Sequence, residues 1–254
     1  MSRTAQQVQR VQRVQLARAY VLHQRPFRDT SLIVEVYARE YGRMTVFARA
    51  ARGPRSRFVL LQPFRALLLS WSGRGEAPQL TAAENTEAAA VPVPAGQLMS
   101  AFYLNELLLT LTTRHDPHPE LFDLYEYTLA QLCRDSHAET ALRRFEARLL
   151  DLIGYGLNLG TEADTGQPVR AETWYRFQAG VHGVVASAPG AAGAICGRVL
   201  QGLVSATALS SEADLRQARA LMRAAIDHCL EGRELRTRSV ARSVIAYPRR
   251  ERSA

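Results

Sequence analysis

The chain has 254 residues, 47% of them apolar and 22% charged, the balance of an ordinary globular protein with room for one large domain or two small ones. No apolar run approaches the roughly 18 residues that a membrane-spanning helix needs, and all 32 basic residues are arginine, which excludes a Walker A lysine and a Schiff-base lysine. The net charge of +8 is lopsided: residues 1–60 hold 12 Arg against 3 acids, residues 61–150 hold 7 against 11, residues 151–230 hold 6 against 7, and residues 231–254 hold 7 against 3. A basic segment confined to one part of a chain is the electrostatic footprint of a polyanion partner. Charge alone reads equally well as an arginine-biased solvated surface.

Residues 1–17, MSRTAQQVQRVQRVQLA, are polar and basic and lack the apolar stretch of a signal peptide. They read as a disordered basic arm, or as an over-called start, and the expected location is cytoplasmic. From Arg18 to about Ala83 the apolar period is two. The segments RAYVLH (18–23), TSLIVEVYA (30–38), GRMTVFARA (42–50), RALLLSWS (65–72) and PQLTAAE (78–84) predict five strands. Tyr41-Gly42 and Ser72-Gly73-Arg74-Gly75 supply the tight turns. Five short strands over residues 18–90 fit an oligonucleotide-binding (OB) barrel.

In the third strand Met44, Val46 and Ala48 point one way, while Arg43, Thr45, Phe47 and Arg49 point the other. A face that alternates cation and ring suits a nucleic-acid strand, with a base on Phe47 and phosphates on Arg43 and Arg49. Phe47 reads equally as part of a second core face. The loop that follows, with Arg52, Arg55 and Arg57 around Gly53-Pro54, cannot continue the strand and predicts a phosphate-gripping cluster.

After Val91-Pro92-Val93-Pro94 the period becomes 3.6. Helices are predicted over 97–113, from Asp116-Pro117 or His118-Pro119 onward with proline at its favoured first position, and over 139–153. A β-like excursion at 173–187 follows, then helices near 193–204 and 211–230 and a basic tail. The fold class is therefore α+β: an N-terminal five-stranded OB-type barrel followed by a mainly helical C-terminal domain over 95–254. Cys133, Cys196 and Cys229 are far apart with no CxxC pair, so neither a full disulfide framework nor a cysteine-paired zinc site is expected. His115-Asp116-Pro117-His118 reads better as a helix start than as a metal half-site. No nucleophile elbow or other catalytic constellation is apparent, and no enzyme is expected.

Five stretches in order, AYVLHQRPFRDTSLIVEVYAREYGRMTVFARAARGPRSR, LLQPFRALLLSWSGRGE, FYLNELLL, LRRFEARLLDLIGYGLNL and GRELRTRS, make the chain resemble the bacterial recombination-mediator family RecO from about Arg18 to Val244. The resemblance implies an OB barrel and a helical domain that bind single- and double-stranded DNA and anneal complementary strands. It also implies capture of the tail of single-stranded DNA-binding protein, action with RecR to load RecA, and a cytoplasmic, nucleoid-associated location. Some members of that family carry a four-cysteine zinc site where this chain, over residues 160–198, keeps only Cys196 and His182. No metal or other cofactor is expected, and packing of Trp174, Tyr175, Phe177 and Val184 is expected in its place.

In LRRFEARLL (142–150) the stripe Leu142, Phe145 and Leu149 packs in the core or walls a groove. Arg143 and Arg144 flank it, and Arg143 is also spaced to pair with Glu139. The resemblance places a tail-binding arginine at Arg143, which makes Arg143, Arg144, Phe145 and Leu149 the expected partner-tail site. Two other classes compete with the DNA-binding mediator. One is a different OB-fold module that binds RNA; the other is a hydrolase or transferase in the helical domain.

Overall fold

The computed structural model describes residues 12–52, 56, 58–86, 92–134, 138–178, 180–181, 183–205, 209 and 211–246, which fall into two units, Met1–Cys133 and Arg134–Ala254. In the first, strict alternation drives five strands into a closed barrel: β1 (Gln12–Phe27), β2 (Ser31–Ala38), β3 (Gly42–Ala48), β4 (Ala66–Gly73) and β5 (Gln79–Asn85). The strand order is β1-β2-β3-β5-β4. Neighbours are antiparallel except at the closing seam, where Phe47 of β3 pairs in parallel with Gln79 of β5. Every second residue enters the core: Val34 and Val36, Met44, Val46 and Ala48, Leu67, Leu69 and Trp71. The OB-type barrel is thus present, with all five expected strands.

β1 starts earlier than expected. Residues 12–17, read as the end of a disordered arm, pair with β4, and Val14 and Ala17 enter the core. A bulge separates those two residues. Within it Leu16 has φ +53° and its N–H donates to Ser70 Oγ at 3.1 Å. The extra residue breaks the period of two, so alternation alone misses the strand.

The boundary also moves. Helices α1 (Leu98–Leu111) and α2 (Pro119–Arg134) belong with the barrel, so the helical unit begins at Arg134, not at residue 95. Tyr20, Leu22 and Tyr37 explain this, because they are apolar residues on the barrel's outer face that only a second layer can bury. Tyr20 packs on Phe122 (5.5 Å) and Tyr125 (5.1 Å), and Tyr37 on Phe122 (5.9 Å). Asn105 donates to the Leu22 carbonyl at 2.9 Å and accepts from Tyr125 Oη at 2.6 Å, so the buried amide is satisfied from both sides. Arg18 to Glu126 and Arg39 to Asp123 close the rim, each as paired hydrogen bonds of 2.7 and 2.8 Å. Burial, and then Glu126, raise the Tyr20 phenol above its ordinary range, so it donates to that carboxylate as a neutral group. Pro119 does open the second helix, as expected.

The second unit holds α3 (Ala138–Leu152), β6 (Trp174–Phe177), β7 (Val184–Ala186), β8 (Ala194–Cys196), α4 (Gly197–Val204), α5 (Glu212–Cys229) and α6 (Arg236–Ala246). The three strands form one antiparallel sheet, ordered β7-β6-β8. Residues 194–196 are strand where a helix start was predicted. The helix begins at Gly197, where an added Cβ would meet the Arg170 carbonyl. Tyr175 and Val184 are buried, and Trp174 and Phe177 are half-buried. Tyr175 Oη donates to Glu162 Oε1 and accepts from Arg170 N–H, both at 3.0 Å, while the Cys196 thiol donates to the Ala171 carbonyl at 3.2 Å. Bonds from Thr165 and Tyr175 hold the Glu162 carboxyl below its usual range.

Among the described residues no group of His, Cys, Asp or Glu is placed to hold a metal, and His182 lies outside them. Purified protein should accordingly contain no stoichiometric zinc, and a chelator should leave its melting temperature unmoved. Metal analysis giving one zinc per chain would overturn that expectation.

Candidate nucleic-acid interface

β2 and β3 run in unbroken register from Leu32 opposite Ala48 to Ala38 opposite Gly42, so their outward residues form transverse rows. The row through Glu35 and Thr45 and the row through Ile33 and Phe47 differ sharply in character.

At the first, Glu35 accepts from Thr45 Oγ1 at 2.8 Å and pairs with Arg114 at 2.7 Å and Arg43 at 3.7 Å. Arg43 also donates to the Thr112 carbonyl at 2.7 Å and to Thr112 Oγ1 at 3.3 Å. Its side chain is only 13% exposed. Burial lowers its pKa from the ordinary arginine value, and the neighbouring Arg114 lowers it further. Arg43 therefore ties β3 to the end of α1. It does not present a cation to solvent, as the alternation had suggested.

At the second row Phe47 stands outside the barrel core and half-buried. Register carries the row across the sheet as Arg25, Ile33, Phe47 and Gln79. Phe27, at the end of β1, meets Phe47 edge-on at 5.6 Å, and the Arg28 guanidinium lies 5.4 Å over the Phe27 ring. Arg49 and Arg52 follow β3 and are exposed. The Arg52 N–H donates to the Thr30 carbonyl at 2.8 Å, which ties this segment to the β1–β2 turn. Arg74 is exposed in the connection from β4 to β5, and Gln79 of that hairpin lies beside Phe47. Arg55 and Arg57 lie outside the described residues.

Arg25, Arg28, Arg49, Arg52 and Arg74 form no ion pair among the described residues, while Arg18, Arg39, Arg43 and Arg114 are each paired to a carboxylate. The open face thus carries five available cations around two rings. The β2–β3 face and the loops after β1 and β4 are where OB barrels take oligonucleotides. Arg25, Phe27, Arg28 and Arg74 escape the sequence reading because β1 was ended at His23. A register shift between Val21 and His23 breaks the alternation there.

In the second unit Phe145 and Leu149 are wholly buried, so they belong to the core and do not wall a groove. Arg143 is 9% exposed and pairs with Glu146 at 2.9 Å, three residues on, and not with Glu139, whose partner is Arg219. Arg144 is half-buried. Of the expected tail site, the two arginines keep partial access and the two apolar residues have none.

Comparison with known proteins agrees with this architecture. The family model described as recombination protein O N terminal matches residues 13–89, and that described as recombination protein O C terminal matches residues 96–239. A protein of Alkalilimnicola ehrlichii is 44% identical over 241 residues, 93% of this chain and 94% of its own. One of Methylococcus capsulatus is 43% identical over 232 residues (91% and 94%), and one of an Azoarcus species 38% over 240 (92% and 98%). Each of the three is named DNA repair protein RecO.

Proposed function

Because the chain belongs to the RecO family of DNA repair proteins, we propose that it is a non-catalytic mediator that binds single- and double-stranded DNA on the open barrel face and anneals complementary strands. The observation that carries this reading is the set of five arginines without ion pairs around Phe27 and Phe47. Cations that have no carboxylate to leave are free to replace the counterions of a phosphate backbone. Two strands neutralised on such surfaces repel each other less, which is the physical requirement for annealing.

The proposed protein partners are RecR, through it RecA, and the tail of single-stranded DNA-binding protein, with a nucleoid-associated location following from the DNA. For the tail, Arg143 and Arg144 are the proposed cations, on the strength of the LRRFE motif (142–146), and the apolar slot lies elsewhere than Phe145 and Leu149. No helix among the described residues is long and apolar enough to cross a membrane, and no membrane partner is proposed.

The test is equilibrium binding of a labelled single-stranded deoxyoligomer in competition with unlabelled DNA and RNA of the same sequence. The DNA competitor should displace the probe at the lower concentration. Preferential displacement by RNA would replace this reading with an RNA-binding one.

A further inference from the structure

Ordinary electrostatic grip explains the arginines of the barrel face but not its two rings. Phe27 is 37% exposed, and neither it nor Phe47 belongs to the barrel core. Their contact is edge-to-face, at an interplanar angle of 88°. We propose that Phe27 and Phe47, with Arg28, form a seat for one unpaired nucleobase, so that the chain holds single strands by a base as well as by phosphates. The proposal rests on the DNA-binding reading and adds the chemical group that is read.

Three features support a base in that position. First, the rings are perpendicular, so they cannot both lie flat under one base; one ring stacks and the other buttresses it. Offset stacking on a single aromatic face is tolerant of base identity, which suits a protein with no sequence to read. Second, the Arg28 guanidinium already occupies the Phe27 ring and makes no ion pair among the described residues. A planar guanidinium is itself a stacking surface, and an exposed cation–π contact is weak enough to open for a base. Third, the rim is held in place. Arg28 (φ +50°) and Ala50 (φ +52°) are non-glycine residues in the left-handed region, on the two turns that flank the rings. Those turns are joined by the Arg52 N–H to Thr30 carbonyl bond and by Arg52 Nη1 to the Asp29 carbonyl at 3.5 Å.

The seat is also bounded. Along β2 the next outward residue beyond Ile33 is Glu35, held with Arg43 and Arg114, and past it α2 covers Tyr20 and Tyr37 with Asp123 and Glu126 at its margin. Carboxylates on that side turn a phosphate chain away. A strand therefore crosses the rings at the open end of the face and does not run its full length. The paired bases of a duplex are stacked inside and cannot reach the rings, so the seat favours single strands over duplex.

The experiment uses the full chain and two fluorescein-labelled oligomers of equal length, one of thymidine and one abasic with the same deoxyribose-phosphate backbone. Wild-type protein should bind the thymidine oligomer about tenfold more tightly than the abasic one. Phe27→Ala should abolish that preference while leaving abasic binding and its salt dependence unchanged, and Phe27→Trp should retain it. A wild-type protein indifferent to the presence of bases, or a Phe27→Ala variant that keeps the preference, overturns the seat while leaving the phosphate grip intact. Equal loss on both oligomers also overturns it, since the ring would then act only through the fold. Failure of wild-type protein to bind either oligomer is a different result, which sinks the DNA-binding reading itself.

Discussion

Replacing Arg25, Arg28, Arg49, Arg52 and Arg74 together by alanine should flatten the salt dependence of single-strand binding by about 3.5 in log–log slope, roughly 0.7 for each phosphate left without its arginine. If the two proteins converge near 1 M salt, that slope corresponds to an affinity loss of about three thousandfold at 0.1 M. The fold should be unaffected, because none of the five makes an ion pair among the described residues and all are exposed. The matched control is Arg18→Ala with Arg39→Ala, whose cations are committed to Glu126 and Asp123. These should leave the slope nearly unchanged and cost only the modest stability of exposed pairs, about 0.2–1 kcal/mol each. An unchanged slope in the fivefold variant would show the cluster to be a solvated surface. Arg55 and Arg57 are the next candidates to add.

The largest stability effect is expected at Gly42. This residue opens β3 with φ +69°, and a Cβ there would lie 2.6 Å from the Asp116 carbonyl carbon and 2.9 Å from its nitrogen. Both are backbone atoms, so no side chain can swing aside. The strand and the segment before α2 are also bonded to each other, through the His115 N–H to the Arg43 carbonyl at 2.9 Å. Gly42→Ala adds the left-handed penalty of about 1 kcal/mol to the cost of forcing two backbones apart, about 1–3 kcal/mol. A loss of about 2–4 kcal/mol in urea unfolding follows, with an unchanged affinity per folded molecule. A loss below about 1 kcal/mol would show that the 113–118 segment yields freely.

The barrel was legible because period-two alternation in TSLIVEVYA and GRMTVFARA admits only one buried face. What stayed hidden was long-range. Arg43 looks like a free cation beside Phe47 in sequence, yet Glu35 is eight residues back and Thr112 and Arg114 are about seventy ahead. Charge compensation across that span has no local signature. Phe27 was missed for a different reason, because a register shift hides a strand's continuation from any test of strict alternation. For Phe145 and Leu149 the helical stripe announced burial and could not name the partner. Their contacts come from within the second unit's core, which no spacing rule specifies.

The cover that α1 and α2 lay over Tyr20, Leu22 and Tyr37 bears on how such a protein can be divided. A seam at the Pro92–Pro94 stretch looks natural, since composition and period both change there. Cutting at that point would strip the barrel of its lid and leave the Tyr20 and Tyr37 rings and the Leu22 carbonyl facing water. A chimera that exchanges the helical portion between relatives has its workable crossover at residue 134, with both lid helices travelling alongside the strands they shield. The evolutionary module is thus longer than the barrel it is named for.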